Sequence, residues 1–544
     1  MLPVSLLVLA VVGLSDAYTW PNRQMEKLDQ LRYEQLGVNA HIATFVSPCD
    51  RYNFDFTSQK QGRTNSADWL RTAYHDMATY NVEDGTGGLD ASIQFVEEQS
   101  RAENTGNAFA NTITFARILA GRHTSLADGV ALVALMAIEQ CYGPEIDFRA
   151  GRIDATEPNN PGVPEPQDSL ESHTASFARQ GFTPTEMIQL VACGHSLGGV
   201  QHDSFPDIVP PTNDPDNNAS GNVHFDSTFD NFDNKIATDY VSGQTTNPLI
   251  VGQNETTRSD LRIFSSDGNV TMNAFAASND FFMKTCGSIL TRMLDTVPRG
   301  VKLTEVVKPL PVRPDQFALL RTANDSLSLK GRFRFWNINE EDANRKVTLF
   351  WADSQGQQCQ GCSVDLAYNG RTTNWLPYAP TVLWYQLPST GQLIRPDLSI
   401  SKFWFQITES NGRITVEDQG GIGYPLQTDV LLTDEVCFDG GALYVSVSVR
   451  KSLNPSRVFL EGDAFDENGT SIPNGLAIRE LTRDAAASAQ SDAYDILRIT
   501  LDNFGDAGAA EWNVAWEVDG QQFSDPGLFT GVSFLSFGGC PGAA

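Results

Sequence analysis

The stretch "LVACGHSLGGV", residues 190–200, decides how the chain is read. Gly194-His195-Ser196-Leu197-Gly198 fits G-x-S-x-G, in which a strained turn from strand to helix carries a nucleophilic serine. The same residues also read as a helix running into a glycine turn, with His195 presented at its end. The residues before it, "TPTEMIQLVACG", favour the second reading. Thr183 or Thr185 can cap a helix, Pro184 suits a first turn, and Met187, Ile188, Val191 and Ala192 recur at helical spacing. A serine triad also needs a histidine after its serine and acid in chain order. Of the seven histidines only His202 and His224 follow Ser196, which leaves little room for the intervening strands. An α/β-hydrolase with Ser196 as nucleophile is the alternative, and His195 the preferred centre.

A chain of 544 residues is too long for one core and implies two or three domains. The start, "MLPVSLLVLAVVGLSDAYTW", has an apolar run followed by Ser15 and Ala17. It reads as a secretory signal peptide over residues 1–17, although it lacks the usual basic start. No later segment is long and apolar enough for a membrane span. Eight cysteines, an even number, suit disulfides in an oxidising compartment. N-x-S/T triplets at Asn218, Asn254, Asn269, Asn324 and Asn468 fit glycosylation, each weakly alone. The formal charge of −29 speaks against nucleic acid, which needs a basic footprint. Solubility, together with work at low pH, accounts for most of that acid.

Residues from about 66 to 300 read as mainly helical, as in "SADWLRTAYHDMATY", where Ser66 is taken as the N-cap. Asn-, Asp-, Gly- and Pro-rich loops separate these helices. At "VVKPLPVRPDQ", residues 306–316, the texture changes. Short β-type runs follow, including "KVTLFWAD", "KFWFQITE" and "ALYVSVSV", which suggest an all-β, sandwich-like region. The expected order is a signal peptide (1–17), a mainly α domain (18–305), a linker (306–316) and a β-rich domain (317–544).

A second motif bears on His195. In "WLRTAYHDM", Arg71 and His75 are four apart and share a helix face. An imidazole can accept a proton from bound peroxide and return it to the departing oxygen. A guanidinium stabilises the charge that develops as the O–O bond breaks. A surface Arg/His pair is the plain alternative, and it is the commoner fate of such a pair taken alone.

With these motifs in hand, the chain resembles the secreted haem peroxidases of the plant/fungal superfamily, in particular their fungal, class II-like branch, over about residues 45–300. "RTAYHD" is similar to the family's distal helix, and "GLDASI" (88–93) to its G-x-D-x-S calcium loop. "EEQSRAEN" supplies Glu98 and Asn104. "DFRAGRIDA" and "GVPEPQDSL" resemble the segment lining the haem edge, and "EMIQLVACGHSLGG" the proximal helix. "FDSTFDNFDN" (225–234) matches a second calcium loop, and "RSDLRIFSS" (258–266) carries Asp260.

The resemblance implies haem b and two calcium ions. His195 would ligate the iron and donate its other N–H to Asp260, which makes the imidazole more basic. His75 would be general base and then acid, oriented by Asn104, with Arg71 as electrostatic partner. Tyr74 stands where relatives carry Phe or Trp and is expected as an aromatic wall. Phe225 would pack on the proximal imidazole, where cytochrome c peroxidases use a radical-carrying Trp. The distal calcium set would be Asp76, the Gly88 carbonyl, Asp90 and Ser92. The proximal set would be Ser196, Asp226, Thr228, the Asn231 carbonyl and Asp233, with oxygen-rich turns as the plainer reading. Cys49–Cys141 resembles a superfamily bridge, and Cys193–Cys286 is expected because both lie in helices near the proximal side.

The expected partners are hydrogen peroxide and a small phenolic donor. At the two helix positions of a manganese site stand Thr64 and Asp68, so that site is incomplete, and Leu190 stands where lignin peroxidases carry a surface Trp. The aromatics of the β-rich region would be sandwich core, with a polysaccharide or cell-wall platform as the alternative. An inactive scaffold for that region is the third reading.

Overall fold

The computed structural model describes residues 19–35, 42–54, 62–210, 221–322, 325–336, 338, 342–372, 382–395, 397–439, 442–467, 470–501, 511–525 and 529–530. The signal-peptide reading, the sequons at Asn218, Asn324 and Asn468, and Cys540 lie outside them.

The first half is helical: α1 (Arg23–Tyr33), α2 (Asn65–Met77), α3 (Val96–Gln99), α4 (Ala108–Leu119), α5 (Leu126–Gln140), α6 (Leu170–Arg179), α7 (Pro184–Gly194), α8 (Lys235–Ser242), α9 (Pro248–Val251), α10 (Ser259–Phe264), α11 (Val270–Ala277) and α12 (Asn279–Leu294). The cap of α2 is Thr64, not Ser66: its hydroxyl accepts from Ala67 N, while Ser66 Oγ donates to the Cys49 carbonyl. Thr183 caps α7 in a full capping box with Glu186, and Pro184 opens the helix. Helix α5 is apolar almost all round, and all 15 of its residues are buried, as expected of a central helix. Each fully buried Leu, Ile or Val on it contributes roughly 1.5–3 kcal/mol. At Gly129 a Cβ would come within 2.6 Å of the Ala116 carbonyl, so glycine there lets α4 and α5 close. Helix α2 packs on both. Disulfides join Cys49 to Cys141 and Cys193 to Cys286, as expected, and Cys359 to Cys362.

The β-rich half begins inside the stretch read as a linker, with strand Val312–Arg321. That strand lies in the middle of a ten-stranded sheet, antiparallel to Leu327–Phe335 and parallel to Val430–Thr433. Its side chains alternate between two cores. Phe317 and Leu319 join one core with Phe403 and Phe405; Ala318 and Leu320 join the other with Val445 and Trp512. The expected sandwich is therefore doubled, one long sheet being covered on each face by a five-stranded sheet. Trp351 and Trp384 are core; Trp404 lies half-buried, stacked on Phe350.

The segment before the helical core serves both halves. Trp20 is buried among Phe317, Phe403 and Tyr424 of the β-rich half, although the sequence reading put it with the helices. From α1, Asp29 and Glu34 lie 2.6 and 2.9 Å from Arg334, and Glu34 is 2.7 Å from Arg313. On its other side Arg32 pairs with Glu139 of α5 at 2.6 Å.

Candidate active site

Helices α2 and α7 bring their histidines to one cavity of about 650 Å³, lined also by Arg71, Tyr74, Phe225 and Asp260. That is within the range of pockets that enclose a sizeable ligand. His75 lies on the last turn of α2, behind the cap that Thr64 provides. Its Nδ1–H donates to Asn104 Oδ1 at 2.7 Å. The Asn104 amide is itself oriented, because its Nδ2 donates to the Glu98 carbonyl at 2.8 Å. This fixes the tautomer and leaves His75 Nε2 as the lone-pair nitrogen. Burial first, and the Arg71 charge second, hold the His75 pKa well below the usual imidazole value, so the ring stays neutral near pH 7. Arg71 donates to the Thr105 carbonyl at 3.1 Å and lies over the Phe109 ring. Burial lowers its pKa to about 10, which leaves it charged.

His195 caps the C-terminus of α7. Its Nδ1–H donates to Asp260 Oδ2 at 2.8 Å, and its side chain is 30% exposed. Phe225 stacks on it at 4.1 Å and 10°. A buried carboxylate accepting from one ring nitrogen leaves the other with its lone pair free. Asp260 is held in turn by Asn247, whose Nδ2 donates to the same oxygen at 2.8 Å. The sequence reading missed Asn247; "TNP" signals only a helix start there. An accessible imidazole nitrogen above a cavity walled by aromatic rings fits a flat, metal-bearing ligand.

The alternative serine reading fails on this geometry. Helix, not strand, precedes Ser196. Its hydroxyl is buried and donates to the Asp233 carbonyl at 2.8 Å. Asp68 lines the cavity but accepts from Arg63 at 2.7 Å, so it is not a free metal ligand. Tyr74 lines the wall and stacks on Phe177.

The two oxygen-rich loops differ. Among the described residues no three His, Cys, Asp or Glu side chains converge as a metal site, so a cation in either loop would rest partly on hydroxyl and carbonyl oxygens. In the proximal loop Thr228 Oγ1 and Asn231 Nδ2 bond the Asp233 carboxylate. Asp226 Oδ2 is buried without a hydrogen-bond partner among the described residues. Burial pushes the Asp226 carboxyl up to about 8. In the distal loop Asp76 accepts from the backbone N–H groups of Asp90, Ala91 and Ile93. The side chain of Asn159, absent from the sequence reading, lies against Asp90 and Ser92.

Residues 53–278 match the model of the family described as peroxidase. The chain is 36% identical over 367 residues to a WSC domain-containing protein of Arthroderma benhamiae, covering 66% of this chain and 49% of that one. It is 29% identical over 175 residues to the peroxisomal L-ascorbate peroxidase 5 of Arabidopsis thaliana, covering 32% of this chain and 62% of the relative. It is 30% identical over 135 residues to the mitochondrial cytochrome c peroxidase of Yarrowia lipolytica, covering 24% of this chain and 39% of the relative. The chain thus spans less than two thirds of the length of each. Residues 53–278 form a helical domain of the peroxidase family, and a β-rich region follows it.

Proposed function

We propose that the chain is a secreted, fungal-type haem peroxidase that reduces hydrogen peroxide and oxidises small phenolic donors. The observation that carries this reading is the pair of imidazoles, His75 and His195, on one cavity, each with Nδ1 tied to a side-chain oxygen behind it. Bound haem b would supply the redox-active iron. His195 would hold that iron through Nε2, its ring fixed by Asp260 and, behind it, Asn247. His75 Nε2 accepts the proton of the entering peroxide and returns it to the departing oxygen. The Arg71 guanidinium, dry and charged, stabilises the negative charge that builds on that oxygen. Tyr74 and Phe225 would wall the cavity on either side of the bound group. The donor delivers its electrons at the cavity edge, by the segment around Pro164–Gln167.

The proximal loop supports one calcium ion, since Asp226 leaves a buried carboxylate oxygen unpaired beside Asp233 and Thr228. For the β-rich region the half-buried Phe350–Trp404 pair supports a polysaccharide or cell-wall contact. Adding haemin to the purified chain tests the central reading. A Soret band that shifts on adding hydrogen peroxide is expected. No band, or one indifferent to peroxide, sinks the proposal.

A further inference from the structure

The distal loop has the residue types of a calcium site, but its centre is occupied. Asn159 Nδ2 lies 2.9 Å from both carboxylate oxygens of Asp90, 3.0 Å from Ser92 Oγ and 3.3 Å from Thr79 Oγ1. A calcium ion needs six to eight oxygens at about 2.3–2.6 Å, and here a hydrogen-bond donor stands among the oxygens instead. Asn159 is fastened at its backbone too: its N–H donates to Glu98 Oε2 at 2.9 Å, and its carbonyl accepts from Arg101. Both Asp76 oxygens are committed to backbone N–H groups at 2.7–2.9 Å. Unlike Asp226, neither Asp76 nor Asp90 keeps a buried oxygen without a partner among the described residues.

We infer that the Asn159 amide replaces the distal calcium, so that the resident group of this loop is a side chain and the distal ligand set does not bind the ion. The amide gives Asp90 two hydrogen bonds where a cation would give it charge. The same residue braces Glu98, whose carbonyl orients Asn104 and through it His75. Support of the distal histidine therefore runs through Asn159 rather than through an ion. The expectation of a cation comes from the peroxidase reading; the displacement rests on the loop's own geometry.

The test counts calcium. The full-length chain is equilibrated with calcium chloride, passed into calcium-free buffer and assayed by atomic emission, as wild type, Asp90→Asn, Ser92→Ala and Asn159→Asp. Asp90→Asn and Ser92→Ala should carry as much calcium per chain as wild type, whether that is one ion or none. Asn159→Asp, which adds a third carboxylate and removes the donor, should gain one equivalent. Loss of one equivalent in Ser92→Ala or Asp90→Asn overturns the inference. Ser92→Ala removes only a hydroxyl and keeps the test open if Asp90→Asn fails to fold. The count needs neither haem nor turnover, so failure of the peroxidase reading is seen separately.

Discussion

Asp260→Ala tests whether the carboxylate behind His195 tunes that ring or merely fills space. Asp260 is 1% exposed and accepts from both His195 Nδ1 and Asn247 Nδ2 at 2.8 Å. A hydrogen bond to a charged group contributes about 1.5–3 kcal/mol. At about 1.4 kcal/mol per factor of ten, losing the His195 bond weakens haem binding, or slows the peroxide reaction, about ten- to a hundredfold. Loss of a partner behind a metal-bound histidine has a similar cost. The stranded Asn247 amide adds about 1–3 kcal/mol of lost stability. Asp260→Asn keeps the size and an acceptor oxygen but not the charge, so its effect on haem should lie between wild type and alanine. Haem affinity is read by titrating haemin into the folded apoprotein, the reaction by stopped-flow mixing with peroxide, and stability by thermal melting. If Asp260→Ala melts early but binds haem and reacts within twofold of wild type, the carboxylate has a packing role only.

His75→Ala should still bind haem but react with peroxide about 10²–10⁴-fold more slowly, the usual worth of a general base. The wild-type rate should stay level as pH falls through 6.5, because burial and Arg71 keep His75 neutral there; it should drop only further into acid, and a half-maximal rate near 6.5 would contradict this. Arg334→Leu removes one of the two buried guanidinium groups that face Asp29 and Glu34, Arg313 remaining, and should cost at most about 3–5 kcal/mol, read as a lower melting temperature of the β-rich half.

The helix around His75 and the one before His195 were legible because their apolar periodicity and caps are local signals. Even so, the α2 cap shifted from Ser66 to Thr64, since either hydroxyl can cap and Ser66 is drawn to the Cys49 carbonyl. The doubled sandwich was hidden because a strand buried on both faces, such as "FALL" at 317–320, shows no alternation. Trp20 and Asn159 act through contacts far off in the chain, Asn247 through Asp260 in the next helix, and nothing in their spacing announces them. Asn159 sits in "EPNNPG", which reads as a plain turn. The aromatic density of the β-rich half reads rightly as sandwich core at Trp351 and Trp384, which serve the interior.

The most direct measurement is a haemin titration of the full chain against His195→Ala and His75→Ala, followed by the Soret band. One haem per chain should bind to wild type and to His75→Ala, and far more weakly to His195→Ala. Equal binding by His195→Ala, or none by wild type, would contradict the account.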